Sequence, residues 1–165
     1  RDAGLLVSTT DYVAEDDVDF VVAAYRDEGA WTVVELAPRL GEDFDGFTTA
    51  LTRFPSDVGV LGLASVNDDF FVVVRRSGDH LRVLLSDSTA ARDWSLAADV
   101  SDQIHALAAE DEPRPVGDLE IVADLGLSSV ELSLLCEDDD LYPDEALADL
   151  ADRLGFGDQF EAIVG

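Results

Sequence analysis

Apolar residues recur along this chain with two different periods. Val18 to Tyr25 is a run of Val, Phe, Ala and Tyr without Gly or Pro, which predicts a strand. Asp27-Glu28-Gly29 supplies a turn, and Ala30 to Leu36 the second strand, paired as a hairpin. After a loop over Pro38 to Asp43, Phe44, Phe47, Leu51 and Phe54 return at the helical period until Pro55 stops them. Val58 to Val66, Asp69 to Arg76 and His80 to Leu85 are three further strands, separated by short turns. The middle one, through Phe70 to Val74, reads as buried on both faces. Ser86 to Trp94 is a strand-to-helix passage. Ser95 can cap a helix carrying Leu96, Val100, Ile104 and Leu107 on one stripe.

These elements predict an α+β fold: a five-stranded antiparallel sheet in the order β-β-α-β-β-β-α with helices packed on it. The order is similar to roadblock/longin and profilin-like arrangements, scaffolds that host many functions. Four segments are expected: a flexible acidic arm over residues 1–17, the sheet domain over 18–109, an acidic Pro-containing linker over 110–117, and an all-helical subdomain over 118–165. Within the last, Asp118 to Asp124 predicts a short helix ending near Gly126. Ser128 and Glu131 form a capping box, with Leu127 and Leu132 as its hydrophobic staple. Pro143, Asp144 and Glu145 suit the start of a helix lined by Leu147, Leu150 and Leu154. Phe156, Phe160, Ile163 and Val164 belong to a final short helix. So few residues make a small core, so this part is expected to pack on the sheet or on a partner.

Composition narrows the function. The chain has 165 residues, 10 basic ones against 37 acidic ones, and a formal net charge of −27, yet 47% of its residues are hydrophobic. That excess of carboxylates over an ordinary apolar content predicts a folded chain with an anionic coat. It argues against direct nucleic-acid binding and against anionic membrane surfaces. No apolar run is long enough for a spanning helix and no signal-peptide pattern occurs, so a cytoplasmic location is expected. The chain has one Cys, Cys136, which excludes an internal disulfide, and two His, too few for a thiolate or imidazole zinc site.

Candidate chemistry is sparse. Cys136 sits in an apolar helical stretch with four acids behind it, a setting that raises a thiol pKa and marks a structural residue. His80 and His105 are far apart in sequence. Ser86-Asp87-Ser88-Thr89 lacks a nucleophile-elbow context and reads as a turn with caps. Phosphate loops are absent. Arg75, Arg76 and Arg82 can form a small basic patch, but pairing with the abundant acids is the simpler reading. Glu137-Asp138-Asp139-Asp140 lacks the glycine of a calcium loop and reads as an exposed acidic loop between helices. Trp31, Trp94 and Tyr25 are expected at the core or its edge. Tyr142, in that acidic loop beside Pro143, is instead suited to anchoring a partner. No catalytic, cofactor-binding or metal-binding residues are expected. The candidate partner-binding residues are Glu137, Asp138, Asp139, Asp140 and Tyr142.

Several blocks are more specific. FVVAAYR at Phe20 to Arg26, DDFFVVVR at Asp68 to Arg75, LLSDSTAARDW at Leu84 to Trp94, PVGDLEIVADLG at Pro115 to Gly126, ELSLLCEDDDLYPDE at Glu131 to Glu145 and RLGFGDQFE at Arg153 to Glu161 resemble the actinobacterial tRNA adenosine deaminase-associated proteins. The Arg-only, Asp-rich usage suits such a high-GC source. The resemblance implies an accessory or adaptor protein, non-enzymatic, that acts with the deaminase and has no catalytic residues to carry over. The zinc signature of the deaminase itself, H-x-E with P-C-x-x-C, is missing. An acidic protein of this kind is expected to dock on the basic surface of an RNA-modifying enzyme. The alternatives are a small-molecule-binding or sensor module and, further off, a carboxylate- or metal-dependent enzyme. A homodimer through a sheet edge or helix face is a further expectation.

Overall fold

The computed structural model describes residues 18–56, 58–104, 115–138 and 140–164. The expected arm, most of the expected linker, His105 and Asp139 lie outside them. Strands β1 (Val18–Asp27), β2 (Ala30–Glu35), β3 (Val60–Val66), β4 (Phe70–Ser77), β5 (His80–Leu85) and β6 (Val116–Gly117) form one antiparallel sheet in the order β2-β1-β3-β4-β5-β6. The α+β class and the antiparallel sheet with its helices agree with the sequence. The strand number does not: among the described residues the sheet has six strands, not five. Val116 and Gly117 pair with Leu85 and Leu84, inside the stretch expected to be linker. Two residues carry no periodicity of their own, and the free edge of β5 supplies their pairing.

The strands are apolar on both sides because both sides are covered. One face presents Val21, Ala23, Ala64, Val72 and Val74. It packs beneath α1 (Phe44–Ala50), α2 (Ser95–Gln103) and the 3-10 turns Pro38–Glu42, Leu51–Arg53 and Ser88–Arg92. Phe47 is the centre of this layer. Its ring lies where a Cβ on Gly62 would come within 2.7 Å, so the bare backbone of β3 is what lets the helix approach. The other face presents Phe20, Val22, Leu61, Leu63, Phe71, Val73 and Leu84. It packs beneath α3 (Ser129–Glu137), α4 (Pro143–Leu154) and α5 (Gly157–Val164). The C-terminal helices are therefore the second coat of the sheet.

Local signals set most boundaries. Ser128 Oγ accepts from Glu131 N at 3.2 Å while Glu131 Oε1 accepts from Ser128 N at 3.2 Å, the capping box that starts α3. Pro143 opens α4, and Gly155, at φ +105°, closes it in the left-handed region. Three expectations are corrected. Pro38 to Glu42 is a 3-10 helix rather than a loop. Trp94, not Ser95, holds the N-cap position of α2. Asp118 to Asp124 is a series of turns with one 3-10 turn at Ala123–Leu125. Arginines of the sheet bond two carbonyls there: Glu120 O accepts from Arg82 Nη2 at 2.8 Å as well as from Ala123 N at 3.1 Å, and Ile121 O accepts from Arg75 Nη1 at 2.8 Å.

Candidate functional site

Three acidic turns meet at one end of the sheet. The first is the β3–β4 turn, closed by Asp69 N donating to Val66 O at 2.9 Å, with Asn67 and Asp68 both at positive φ. Asn and Asp tolerate that conformation better than most residues, which explains their place in the turn. The second is Ser86-Asp87, directly after β5. Ser86 exchanges two bonds with Phe71 of β4: Phe71 N donates to Ser86 Oγ at 2.8 Å and Ser86 N to Phe71 O at 3.0 Å. Asp87 Oδ1 accepts from Thr89 N at 2.9 Å, capping the 3-10 turn that follows. The third is the α3–α4 loop, where Asp138 Oδ1 accepts from Asp140 N at 2.9 Å and Glu145 Oε1 from Tyr142 N at 2.9 Å.

Together they line a groove of about 330 Å³, walled by Asp68, Asp69, Asp87, Glu137 and Asp138, floored by Phe71 and Ala146, and rimmed by Tyr142. No basic residue is among those that line it. Of the residues expected to bind a partner, Glu137, Asp138 and Tyr142 line this groove, Asp140 is exposed beside it, and Asp139 lies outside the described residues. Tyr142 is 62% exposed. Sequence reasoning missed Asp68, Asp69 and Asp87. Their blocks were conspicuous, but each reads alone as a turn, and only the sheet brings them to one place.

Like charges crowd Asp68, at one wall of the groove. The charge of Asp19 pushes the Asp68 carboxyl above its ordinary range, with desolvation and Asp144 acting in the same direction. Asp19 Oδ2 meanwhile accepts from Ser65 Oγ and from Asp68 N, both at 2.9 Å, so it is fixed in place. Cys136, behind the wall, has its thiol pushed up to about 12 by burial and by Glu137, so it stays protonated. Among the described residues no three His, Cys, Asp or Glu side chains converge to hold a metal ion. The groove is suited to receiving a positively charged group, with an aromatic ring at its rim.

Asp68 gives a pH-dependent test. A carboxyl whose pKa is higher in the folded state favours folding below its unfolded pKa and loses that contribution as pH rises through the folded value. Asp68→Asn keeps a residue that tolerates positive φ and removes the repulsion. We expect a small rise in Tm at pH 7, of about 1–2 °C, that vanishes near pH 3. Thermal melts at the two pH values measure it, and an equal shift at both would refute the repulsion.

At the other end of the sheet the basic residues are spoken for. A recess of about 550 Å³ is lined by Phe54, Ser56, Gly59, Arg75, Arg76 and Asp124, among others. Arg75 pairs with Asp124, Arg82 pairs with Asp118 at 2.6 Å, and Arg76 donates to Thr48 O and Gly78 O. The arginines pair with neighbouring acids and carbonyls rather than forming a free basic patch.

No solved structure matches the chain. Among curated proteins it is 38% identical over 150 residues to protein Rv3753c of Mycobacterium tuberculosis, covering 88% of this chain and 87% of that one. A family profile described as Rv3753c-like tRNA adenosine deaminase-associated protein matches residues 19–157, a span that includes all three turns of the groove. The chain belongs to the Rv3753c-like tRNA adenosine deaminase-associated protein family.

Proposed function

We propose that the protein is a non-enzymatic accessory factor of tRNA adenosine deaminase, acting in the cytoplasm and docking on a basic surface of that enzyme through the acidic groove and Tyr142. The observation that carries this reading is the convergence of three acidic turns on one groove, with an exposed tyrosine at its rim, in a chain whose family is named for the deaminase. A cationic side chain entering the groove can pair with the carboxylates that wall it, and desolvation at the tyrosine adds to the contact. Complementary fields also speed the encounter and make it sensitive to salt. No helix among the described residues is long and apolar enough to cross a membrane, which is compatible with this setting.

The test is to titrate the purified protein into the deaminase and measure both binding and the rate of tRNA deamination. Binding is expected to weaken by about tenfold or more in the Glu137→Lys/Asp138→Lys variant, and to weaken steeply between about 50 and 300 mM salt. No binding at low ionic strength together with an unchanged rate would reject the reading. Binding that ignores the charge reversal would move the interface elsewhere.

A small-molecule module is the second reading. The recess beside Arg75 and Arg76 is the observation in its favour. Against it, Arg75 has no donor left for a ligand, since its guanidinium bonds Val58 O, Ile121 O and Asp124.

A further inference from the structure

Helix α3 is apolar on two sides. Leu132 and Leu135 turn inward and are buried in the layer over the sheet. Val130 and Leu134 turn outward, 69% and 63% exposed. A surface helix ordinarily keeps one face polar. Here two aliphatic side chains four residues apart stack on the same outer face and form a bare ridge. Glu137 follows at the next helical spacing, three residues beyond Leu134, so the stripe runs from aliphatic to anionic. It ends at the groove, because Glu137 and Asp138 are part of the groove wall.

We infer that the ridge and the groove form one docking surface for a basic amphipathic helix of a protein partner. The partner's apolar stripe lies along Val130 and Leu134, and its Lys or Arg residues reach Glu137, Asp138 and the groove behind them. This rests on the protein-partner reading and specifies the chemistry of the segment that binds. Charge selects the occupant. A second copy of the chain would bring another net charge of −27 against this one. The chain's own first 17 residues carry Asp2, Asp11, Glu15, Asp16 and Asp17 against Arg1, and are repelled in the same way. A segment that is both apolar and cationic satisfies the two ends of the surface at once.

The probe is a fluorescein-labelled synthetic helix of about 18 residues, built from Leu and Lys at the helical period. Its controls are the same residues shuffled to break the apolar stripe, and a version with Glu for Lys. Each is titrated into the full-length protein and followed by anisotropy. The amphipathic basic peptide is expected to bind about tenfold more tightly than the shuffled one, and the Glu version not at all. Val130→Ser/Leu134→Ser is expected to remove that tenfold preference while leaving the shuffled peptide's weak binding unchanged. Both side chains are exposed, so the variant should keep its circular dichroism and Tm. Equal binding of the ordered and shuffled peptides, or an unchanged preference in the double-Ser variant, would overturn the inference. So would a dimer, seen by light scattering, that the same variant converts to monomer, since a second copy would then be the occupant. If the deaminase binds the protein but the peptide does not, the ridge inference fails and the deaminase reading survives. If the peptide binds and the deaminase does not, only the identity of the partner falls.

Discussion

Replacing Arg75 with Ala is expected to cost about 3 kcal/mol of folding stability, a fall in Tm of roughly 6–12 °C for a chain of this size. Arg75 is 7% exposed, at the end of β4. All five of its N–H donors are used: Nε and Nη2 on Val58 O at 2.9 and 2.6 Å, Nη1 on Ile121 O at 2.8 Å, and Nη1 and Nη2 on the two oxygens of Asp124 at 2.6 and 2.9 Å. One side chain thus ties together the entry to β3, the end of β4 and the start of the C-terminal layer. Truncation leaves two carbonyls and a carboxylate without their donors. Lys should rescue only part of the loss, because an ammonium cannot reproduce the planar fork. Asp124→Asn should cost less than either, since Asp124 is 59% exposed and water can replace it. The order of effects, Ala above Lys above Asn, is read by urea denaturation at pH 7. An Ala variant as stable as the parent would show that the fork is not a staple. Asp124 also fixes the direction of the pH dependence. Arg75 holds its carboxyl below the usual range, so the pair's contribution is present above the ordinary Asp pKa and is lost as pH falls through the depressed one.

The second large effect is expected at the α4–α5 corner. Phe156 is fully buried, with its ring centroid 4.8 Å from that of Trp31 on β2. Four residues later, Phe160 meets Phe20 of β1 edge-on at 5.5 Å. The corner is sharp because Gly155 N and Phe156 N both donate to Ala151 O at 2.9 Å, so α4 ends and Phe156 drops at once onto the sheet. Phe156→Ala is expected to cost about 3–5 kcal/mol, through lost burial and the cavity left beneath the corner. It should also shift the emission of Trp31 to longer wavelength. Trp94, on the opposite face against Phe70, should not respond, so the measurement is made in a Trp94→Phe background. A cost below about 1 kcal/mol would mean that the corner collapses to fill the gap, and that the layer is held elsewhere.

Much of this molecule could be read from its residues. Run length and alternation point to the first five strands, because each is rich in apolar residues and is set off from the next by a segment containing Gly, Pro, Asn or Asp. The Ser128–Glu131 box and Pro143 placed two helices, because capping is a local transaction between neighbouring atoms. What stayed hidden was non-local. β6 exists only through the edge of β5. The turns over Asp118 to Asp124 replace a helix because Arg75 and Arg82, some forty residues earlier, compete for their carbonyls. The candidate site divides in the same way. Glu137, Asp138 and Tyr142 stand out as a dense acidic loop with an aromatic. Asp68, Asp69 and Asp87 come beside them through the register of β3, β4 and β5, which no local pattern encodes. The exposure of Val130 and Leu134 is hidden for a related reason: in a helix whose every turn is apolar, periodicity does not say which side faces water.

Clothing the sheet on both sides has a consequence for how the chain is made. The first five strands and their first coat come from residues 18–103, whereas the helices of the second coat come from residues 129–164. A nascent chain leaving the ribosome therefore completes its first five strands while Phe20, Leu61, Leu63, Phe71 and Leu84 still have nothing above them. During that interval the net negative charge opposes contact between half-made copies, until α3, α4 and α5 arrive to cover the bare side.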